Sequence, residues 1–324
     1  MRACIYGAGA IGIWVGHGLA RAGCAVSVVA RGATLAALNK HGFRLHQAGN
    51  ITAQTVHASS LPADLGVQDL VVISVKAPAL PDVAQRIAPL IGPNTMVMTA
   101  MNGVPWWFLQ GFGGNYAGQP LTSVDPSGEV AGAIGAQHII GCVVHASCSL
   151  DEPGLARHHF GNKLIIGEPS GEKTQRLLQL AGLLEKAGFG VPVSGQIQKD
   201  IWFKLWGNMT VNPISALTGA TTDAIMDDDL VRGFISSVML EAKEIGARLG
   251  IAIDQQPEDR HAVTRKLGAF KTSMLQDIEA GKKVELDALV TVVKELGALT
   301  LVPTPCTDAL LGLARLQART RGLY

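Results

Sequence analysis

The sequence predicts an α/β protein in which a doubly wound, mostly parallel sheet is followed by a mostly α-helical C-terminal domain. Three observations predict it. Short, unbroken apolar runs recur through the first 190 residues, a glycine-rich turn follows the first of them, and beyond Ile197 the apolar pattern stretches into long helices. Runs that are continuous rather than alternating mark strands covered on both faces. Parallel strands also need crossovers, and helical stretches stand between the runs as that requires.

In chain order, strands are expected at residues 3–6, 26–29, 70–75, 96–98, 139–144 and 164–166, with helices at 11–22 and 81–90 among them. Long helices follow at 197–211, 230–249, 284–296 and 307–319. Asp227-Asp228-Asp229 precedes the second of these and Pro303 and Pro305 the last. Both are ordinary helix starts, because first-turn N–H groups lack partners and favour negative charge. At 324 residues the chain can bury two cores, and the change of pattern divides it into domains at 1–195 and 196–324. Residues 1–120 carry seven basic and three acidic side chains, leaving 20 and 23 for the remainder. The first part is therefore mildly basic and the second mildly acidic.

Overall there are 27 Lys and Arg against 26 Asp and Glu. That balance gives no basic field for nucleic acid or for an anionic membrane surface. A mean hydropathy of +0.26 raises the question of a membrane span, and the candidate, the uncharged stretch 3–20, is broken by five glycines and His17. Arg2 alone precedes it, so neither a span nor a signal peptide is expected. The five cysteines, Cys4, Cys24, Cys142, Cys148 and Cys306, form no Cys-x-x-Cys pair. They read as buried thiols of a reducing, cytoplasmic compartment. His158 and His159 have no ligand spacing around them, so no metal is expected.

Gly7-Ala8-Gly9-Ala10-Ile11-Gly12 joins the first strand to the first helix. In this context the first glycine permits the tight turn and the second lets the backbone approach a pyrophosphate. The third lets helix pack on strand, with phosphate at the helix N-terminus. The pattern is that of a Rossmann-type dinucleotide site. At the end of the second strand, Val28-Val29-Ala30-Arg31-Gly32 has no carboxylate to hold a ribose 2′-hydroxyl. Arg31 suits a 2′-phosphate instead, which favours NADP(H) over NAD(H). Lys76 and Asn102 follow two later strands, where open α/β sheets bind ligands. Lys76 could serve the ribose or nicotinamide side and Asn102 cofactor or substrate, although a surface Lys and an Asn-Gly turn have the same sequence.

The helix around 201–213 carries Lys204, Asn208 and Asn212 at four-residue spacing, hence along one face, among Trp202, Phe203, Leu205 and Trp206. Desolvation lowers the pKa of a Lys and makes it a usable proton donor. On composition alone, the plainer reading is a Lys snorkelling from a buried helix.

Order and spacing over nearly the whole chain bear on that choice. With the glycine turn, Val75-Lys76, Asn102-Gly103, the 204–212 helix, Ser273-Met274-Leu275-Gln276-Asp277, Glu285-Leu286-Asp287 and Val302-Pro303-Thr304-Pro305, the sequence resembles the ketopantoate reductase (2-dehydropantoate 2-reductase) family. The resemblance implies that Lys204 protonates the C2 oxygen of a 2-oxo acid as NADPH delivers hydride. It implies that Asn208 and Asn212 hydrogen-bond the substrate, Ser273 its carboxylate end, and Asn102 both substrate and nicotinamide side. Glu285 would orient the ammonium and contact the cofactor, brought to the site by a break at Ala280-Gly281.

Two departures concern the substrate. Val290-Thr291 stands where the family usually has Asn-Gly, and the stretch 104–138, with Trp106, Trp107, Phe108 and seven glycines, is longer than usual. It reads either as a lid over the substrate or as a surface excursion packing its own aromatics. Reduction of 2-ketopantoate to pantoate, for pantothenate and coenzyme A, is the first expectation. A different 2-oxo acid and a non-catalytic NADP(H) sensor are the alternatives, the sensor needing few of these side chains. A helical second domain also leaves a homodimer open.

Overall fold

The computed structural model describes residues 1–324 and separates into two units. The first comprises Met1–Met101 and Ser127–Ile197, the second Asn102–Pro126 and Gln198–Tyr324. The sequence suggests one boundary at 195/196; the chain also leaves the first unit after Met101 and returns at Ser127.

The first unit is built on one nine-stranded sheet. Its strands are β1 (Arg2–Tyr6), β2 (Ala25–Val29), β3 (Phe43–Gln47), β4 (Asn50–Gln54), β5 (His57–Ser59), β6 (Leu70–Ile73), β7 (Met96–Thr99), β8 (Ile139–Glu152) and β9 (Leu155–Gly167). They are ordered β4-β3-β9-β8-β7-β6-β1-β2-β5. From β5 to β8 all pairings are parallel, with Ile5 opposite both Val28 and Val72. Every residue of β6 and β7 is buried, as the unbroken apolar runs require. β8 and β9 form a long antiparallel hairpin, and β3 adds parallel to β9 with β4 antiparallel beyond it. The helices are α1 (Ala10–Arg21), α2 (Gly32–His41), α3 (Leu80–Arg86), α4 (Glu129–Ala133) and α5 (Gln175–Lys186). The expected helix over 81–90 stops at Arg86 and gives way to a 3₁₀ turn, Ala88–Leu90. Pro89 in that turn has no N–H with which to continue an α-helix.

The second unit is helical: α6 (Ile197–Thr218), α7 (Thr222–Asp227), α8 (Asp229–Arg248), α9 (Pro257–Arg265), α10 (Ser273–Glu279), α11 (Val292–Thr300) and α12 (Pro305–Thr320). The fully buried Trp202 and Trp206 bind α6 to α8, their indole N–H groups donating to the carbonyls of Ala242 (3.2 Å) and Met239 (2.7 Å). Asp228 caps α8 by accepting from Val231 N at 2.9 Å, so the acidic run is a helix start. Glu241 of α8 accepts from the N–H groups of Cys306 and Thr307 at the start of α12. The expected helix over 284–296 is replaced by a π-turn, Asp287–Thr291, leading into α11, and Glu285 lies ahead of it.

The aromatics of the 104–138 stretch pack inward, against one another and against α6, rather than standing at the surface. Trp106, Trp107, Phe108 and Leu109 are buried, and the Phe108 ring lies 6.1 Å from that of Trp202. They anchor the segment in the helical core. No helix is long and apolar enough to cross a membrane. All five cysteines are free, but only Cys4 and Cys142 are fully buried.

Candidate active site

In the first unit, the glycine turn is shaped by contacts that leave no room for side chains. Gly7 has φ +103°, and a Cβ there would stand 2.6 Å from Val75 Cγ1. A Cβ on Gly12 would stand 2.1 Å from the carbonyl oxygen of Gly7. Ser74 Oγ donates to that same oxygen at 2.7 Å and ties the turn to the end of β6. Gly9 is the N-cap of α1, and neither a capping side chain nor an acidic residue occupies the first turn over Ala10 and Ile11. Backbone N–H groups and the helix dipole at Ala8, Gly9 and Ala10 are thus arranged to hold an anionic group. A dinucleotide pyrophosphate fits this cradle.

Arg31 follows β2 as the N-cap of α2. Its guanidinium is exposed and paired with Asp82 of α3, which also lies 3.9 Å from Arg86. Sequence reasoning saw no carboxylate near Arg31, because Asp82 is 51 positions away and reaches it only through the crossover. Lys76 stands half-buried just beyond β6, at the start of a short 3₁₀ turn.

In the second unit, Lys204 Nζ donates to Asn102 Oδ1 at 2.8 Å. Asn102 is placed by the two residues after it. Gly103 has φ +85°, and a Cβ on it would stand 2.4 Å from the carbonyl oxygen of Ala288. Val104 N donates to that oxygen at 2.8 Å. The Asn102 loop is therefore docked on the π-turn, an irregularity often found at functional positions. Asn208, half-buried, and Asn212, buried, follow Lys204 along α6. Glu285 is half-buried immediately before the π-turn. α10 does break at Ala280-Gly281, where Gly281 has φ +64°. Ser273 is exposed in the first turn of α10 and makes no hydrogen bond with Lys204 or Asn102.

Two features of this unit escaped sequence reasoning. Glu295 of α11 accepts from the N–H and hydroxyl of both Thr122 and Ser123, fastening the segment that follows Asn102. Burial pushes its carboxyl up, and those donors more than reverse it, so its pKa lies below the usual range. Arg260 of α9 lies over the Phe203 ring of α6. No motif flagged either residue, since their partners are remote in sequence.

A dinucleotide cradle on a parallel sheet, with a lysine-amide pair in a helical unit, defines a nicotinamide-dependent oxidoreductase. The chain belongs to the ketopantoate reductase family. Residues 3–107 match the family model described as Ketopantoate reductase PanE/ApbA, and residues 196–318 the model of its C-terminal part. A 2-dehydropantoate 2-reductase of Mesorhizobium japonicum is 46% identical over 325 residues, covering 100% of both chains. A crystal structure of a candidate ketopantoate reductase from Ralstonia solanacearum MolK2 has a TM-score of 0.95 at 55% identity, covering 100% of this chain and 99% of that one. The 2-dehydropantoate 2-reductase of Geobacter metallireducens GS-15 superposes with a TM-score of 0.86 at 25% identity, covering 98% and 100%.

Proposed function

We propose that this chain is an NADPH-dependent reductase of 2-dehydropantoate (ketopantoate), producing pantoate for pantothenate and coenzyme A synthesis in the cytoplasm. The observation that carries the reading is the 2.8 Å hydrogen bond from Lys204 to Asn102, in a chain 46% identical to a protein named for that reaction. When bound, the reduced nicotinamide supplies hydride to C2. Negative charge then develops on the C2 oxygen, and the Lys204 ammonium neutralises it by giving up a proton. Asn102 occupies one ammonium N–H and directs the others. Asn208, Asn212 and Ser273 are assigned to the substrate as neutral donors and acceptors that orient it without adding a fixed charge. Glu285 is assigned to orienting the ammonium.

The residues assigned to the cofactor are Gly7, Ala8, Gly9, Ala10, Ile11 and Gly12 at the pyrophosphate, Arg31 at the 2′-phosphate, and Lys76, Asn102 and Glu285 toward ribose and nicotinamide. The missing carboxylate after β2 supports NADP(H) over NAD(H). A second reading keeps the hydride chemistry and changes the 2-oxo acid. It is favoured by Val290, which is fully buried where the family usually has Asn, and by Thr291, whose hydroxyl is spent on Asp287.

The test is NADPH oxidation by purified protein with ketopantoate and a panel of 2-oxo acids. Ketopantoate is expected to give the highest kcat/KM. A higher value with another 2-oxo acid would select the second reading, and NADPH binding with no turnover of any member would leave a nucleotide-binding sensor.

A further inference from the structure

α9 carries a cation, Arg260, that meets an aromatic ring but no carboxylate. Arg260 lays its guanidinium on α6, with Cζ 5.6 Å from the centroid of the Phe203 ring. It lies directly over Gly207, where a Cβ would stand 2.4 Å from Nε and 2.8 Å from Nη2. Nε is buried and has no hydrogen-bond partner. The other arginines of this neighbourhood are engaged: Arg265, on the same helix, pairs with Asp227, Arg248 with Glu244, and Arg232 donates to the carbonyl of Met226. Arg260 has no such ion pair. Burial depresses its pKa with no carboxylate acting against it. An uncompensated, partly buried charge is costly, and a π face offsets that cost only in part without using the fork of N–H donors. The fork matches a carboxylate, which it can bind through two parallel hydrogen bonds.

The position on α6 identifies which carboxylate. Phe203 and Gly207 are four residues apart and share one strip of the helix; Lys204 and Asn208 form the strip beside it. Lys204 and Gly207 are three apart, so their positions are roughly 5–6 Å from one another on the helix surface. The guanidinium thus sits about one helical turn from the base of the lysine. In a 2-oxo acid the carboxylate is bonded directly to the carbon whose oxygen Lys204 would protonate. Two cations about one turn apart over α6, the Lys204 ammonium carried by that helix and the Arg260 guanidinium reaching it from α9, suit such a molecule: an ammonium for the C2 oxygen and a guanidinium for C1. Ser273, an exposed hydroxyl, brings no charge to that end.

We propose that Arg260 is the specificity-determining residue for the C1 carboxylate of the 2-oxo acid, which its guanidinium takes while Lys204 serves the C2 oxygen. The proposal rests on the reductase reading above and restricts the substrate class to free acids, excluding esters and lactones. Gly207 has a part in it as the residue that lets the guanidinium lie on the helix.

The test compares pantoate with its neutral lactone, by calorimetric binding to protein saturated with oxidised NADP, in wild type, Arg260→Gln and Gly207→Ala. Gly207→Ala keeps the arginine and favours the helix, but its Cβ displaces the guanidinium, so it stands if Arg260→Gln fails to fold. Unchanged helical circular dichroism and an unchanged urea-unfolding midpoint certify the fold of each variant, and retained NADPH affinity shows that the nucleotide unit is intact. In both variants pantoate is expected to bind roughly 10- to 100-fold more weakly, the usual worth of a charged hydrogen-bonded pair, with lactone binding unchanged. KM for ketopantoate should rise by a similar factor while kcat changes far less. Unaltered preference for pantoate over its lactone in both folded variants would overturn the proposal while leaving the reductase reading intact. Wild-type protein that neither reduces ketopantoate nor binds pantoate would remove the reductase reading, and this inference with it.

Discussion

Lys204 and Asn102, 102 positions apart, meet through a hydrogen bond of 2.8 Å from ammonium to amide oxygen. The contact holds the lysine against an amide rather than letting it extend into water, as a snorkelling side chain would. If Lys204 is the proton donor, Lys204→Ala should lower kcat by roughly 10²–10⁴, the usual worth of a positioned general acid. NADPH affinity, measured by fluorescence titration, should stay nearly unchanged. Near-wild-type turnover would remove Lys204 from that role.

Asn102 depends in turn on Gly103. With φ +85° and the Ala288 carbonyl oxygen 2.4 Å from where a Cβ would lie, the position accepts no side chain without moving the loop off the π-turn. Gly103→Ala is expected to cost about 1–3 kcal/mol of stability, as imposed backbone strain does. It should reduce kcat as Asn102→Ala does, because both take the Asn102 amide oxygen away from the Lys204 ammonium. Unfolding in urea and steady-state kinetics check the two halves separately; full activity in a destabilised Gly103→Ala would mean that the loop does not position Asn102 for catalysis.

The pair between Arg31 and Asp82 bears on cofactor choice. Both side chains are exposed, so the pair itself contributes little to stability. Yet Asp82 competes for the guanidinium assigned to a 2′-phosphate. Arg31→Asp should weaken NADPH far more than NADH. Asp82→Asn should do the opposite, tightening NADPH by several-fold and leaving NADH as it was. Titration of each variant with both nucleotides decides the matter. Equal effects on NADPH and NADH in Arg31→Asp would mean that Arg31 does not read the 2′-phosphate.

What could be read in advance follows from how locally each feature is encoded. The parallel core was legible because residues 3–6, 70–73 and 96–98 are buried on both faces and form unbroken runs with no charged residue. β4, Asn50–Gln54, has four exposed residues out of five and carries no such signal. β8 was legible only to Val144, since its continuation to Glu152 turns polar where it leaves the core. The same limit applies to the candidate site. The glycine turn and the four-residue spacing of Lys204, Asn208 and Asn212 are local patterns. The partnerships of Arg31 with Asp82, of Glu295 with Thr122, and of Arg260 with Gly207 exist only once the chain is folded. Trp106 to Phe108 misled because aromatics in a glycine-rich stretch look alike whether they cover a ligand or fill a core.

Glu295 fastens Thr122 and Ser123 to α11 through two backbone N–H groups and two hydroxyls. Glu295→Gln keeps the shape but sets an amide NH₂ against groups that can only donate or are already donating. Ser123 is half-buried and Thr122 exposed, so the variant is expected to lose about 1 kcal/mol, the usual net worth of a hydrogen bond. Chemical denaturation measures the loss, and a change within error would show that the segment is held by Trp106, Trp107 and Phe108 alone.

Burial of His17 is expected to make the first unit less stable in acid. It is 2% exposed inside α1, with Nε2 3.0 Å from Thr52 Oγ1. Burial, aided by the charge of Arg21, lowers its pKa from 6.5 to about 4. The imidazole is therefore neutral in the folded protein at pH values where the unfolded chain already binds a proton. Stability from this group is complete above pH 6.5, declines as the pH falls, and levels off below about 4. A shift of that size corresponds to about 3 kcal/mol. Other groups also titrate over this interval, so the informative quantity is the difference between wild type and His17→Gln, which has no proton to take up. Between pH 7.5 and 4.5 the wild type should lose the more stability, by roughly 2–3 kcal/mol in urea unfolding. Parallel pH profiles for the two proteins would mean that His17 titrates alike folded and unfolded.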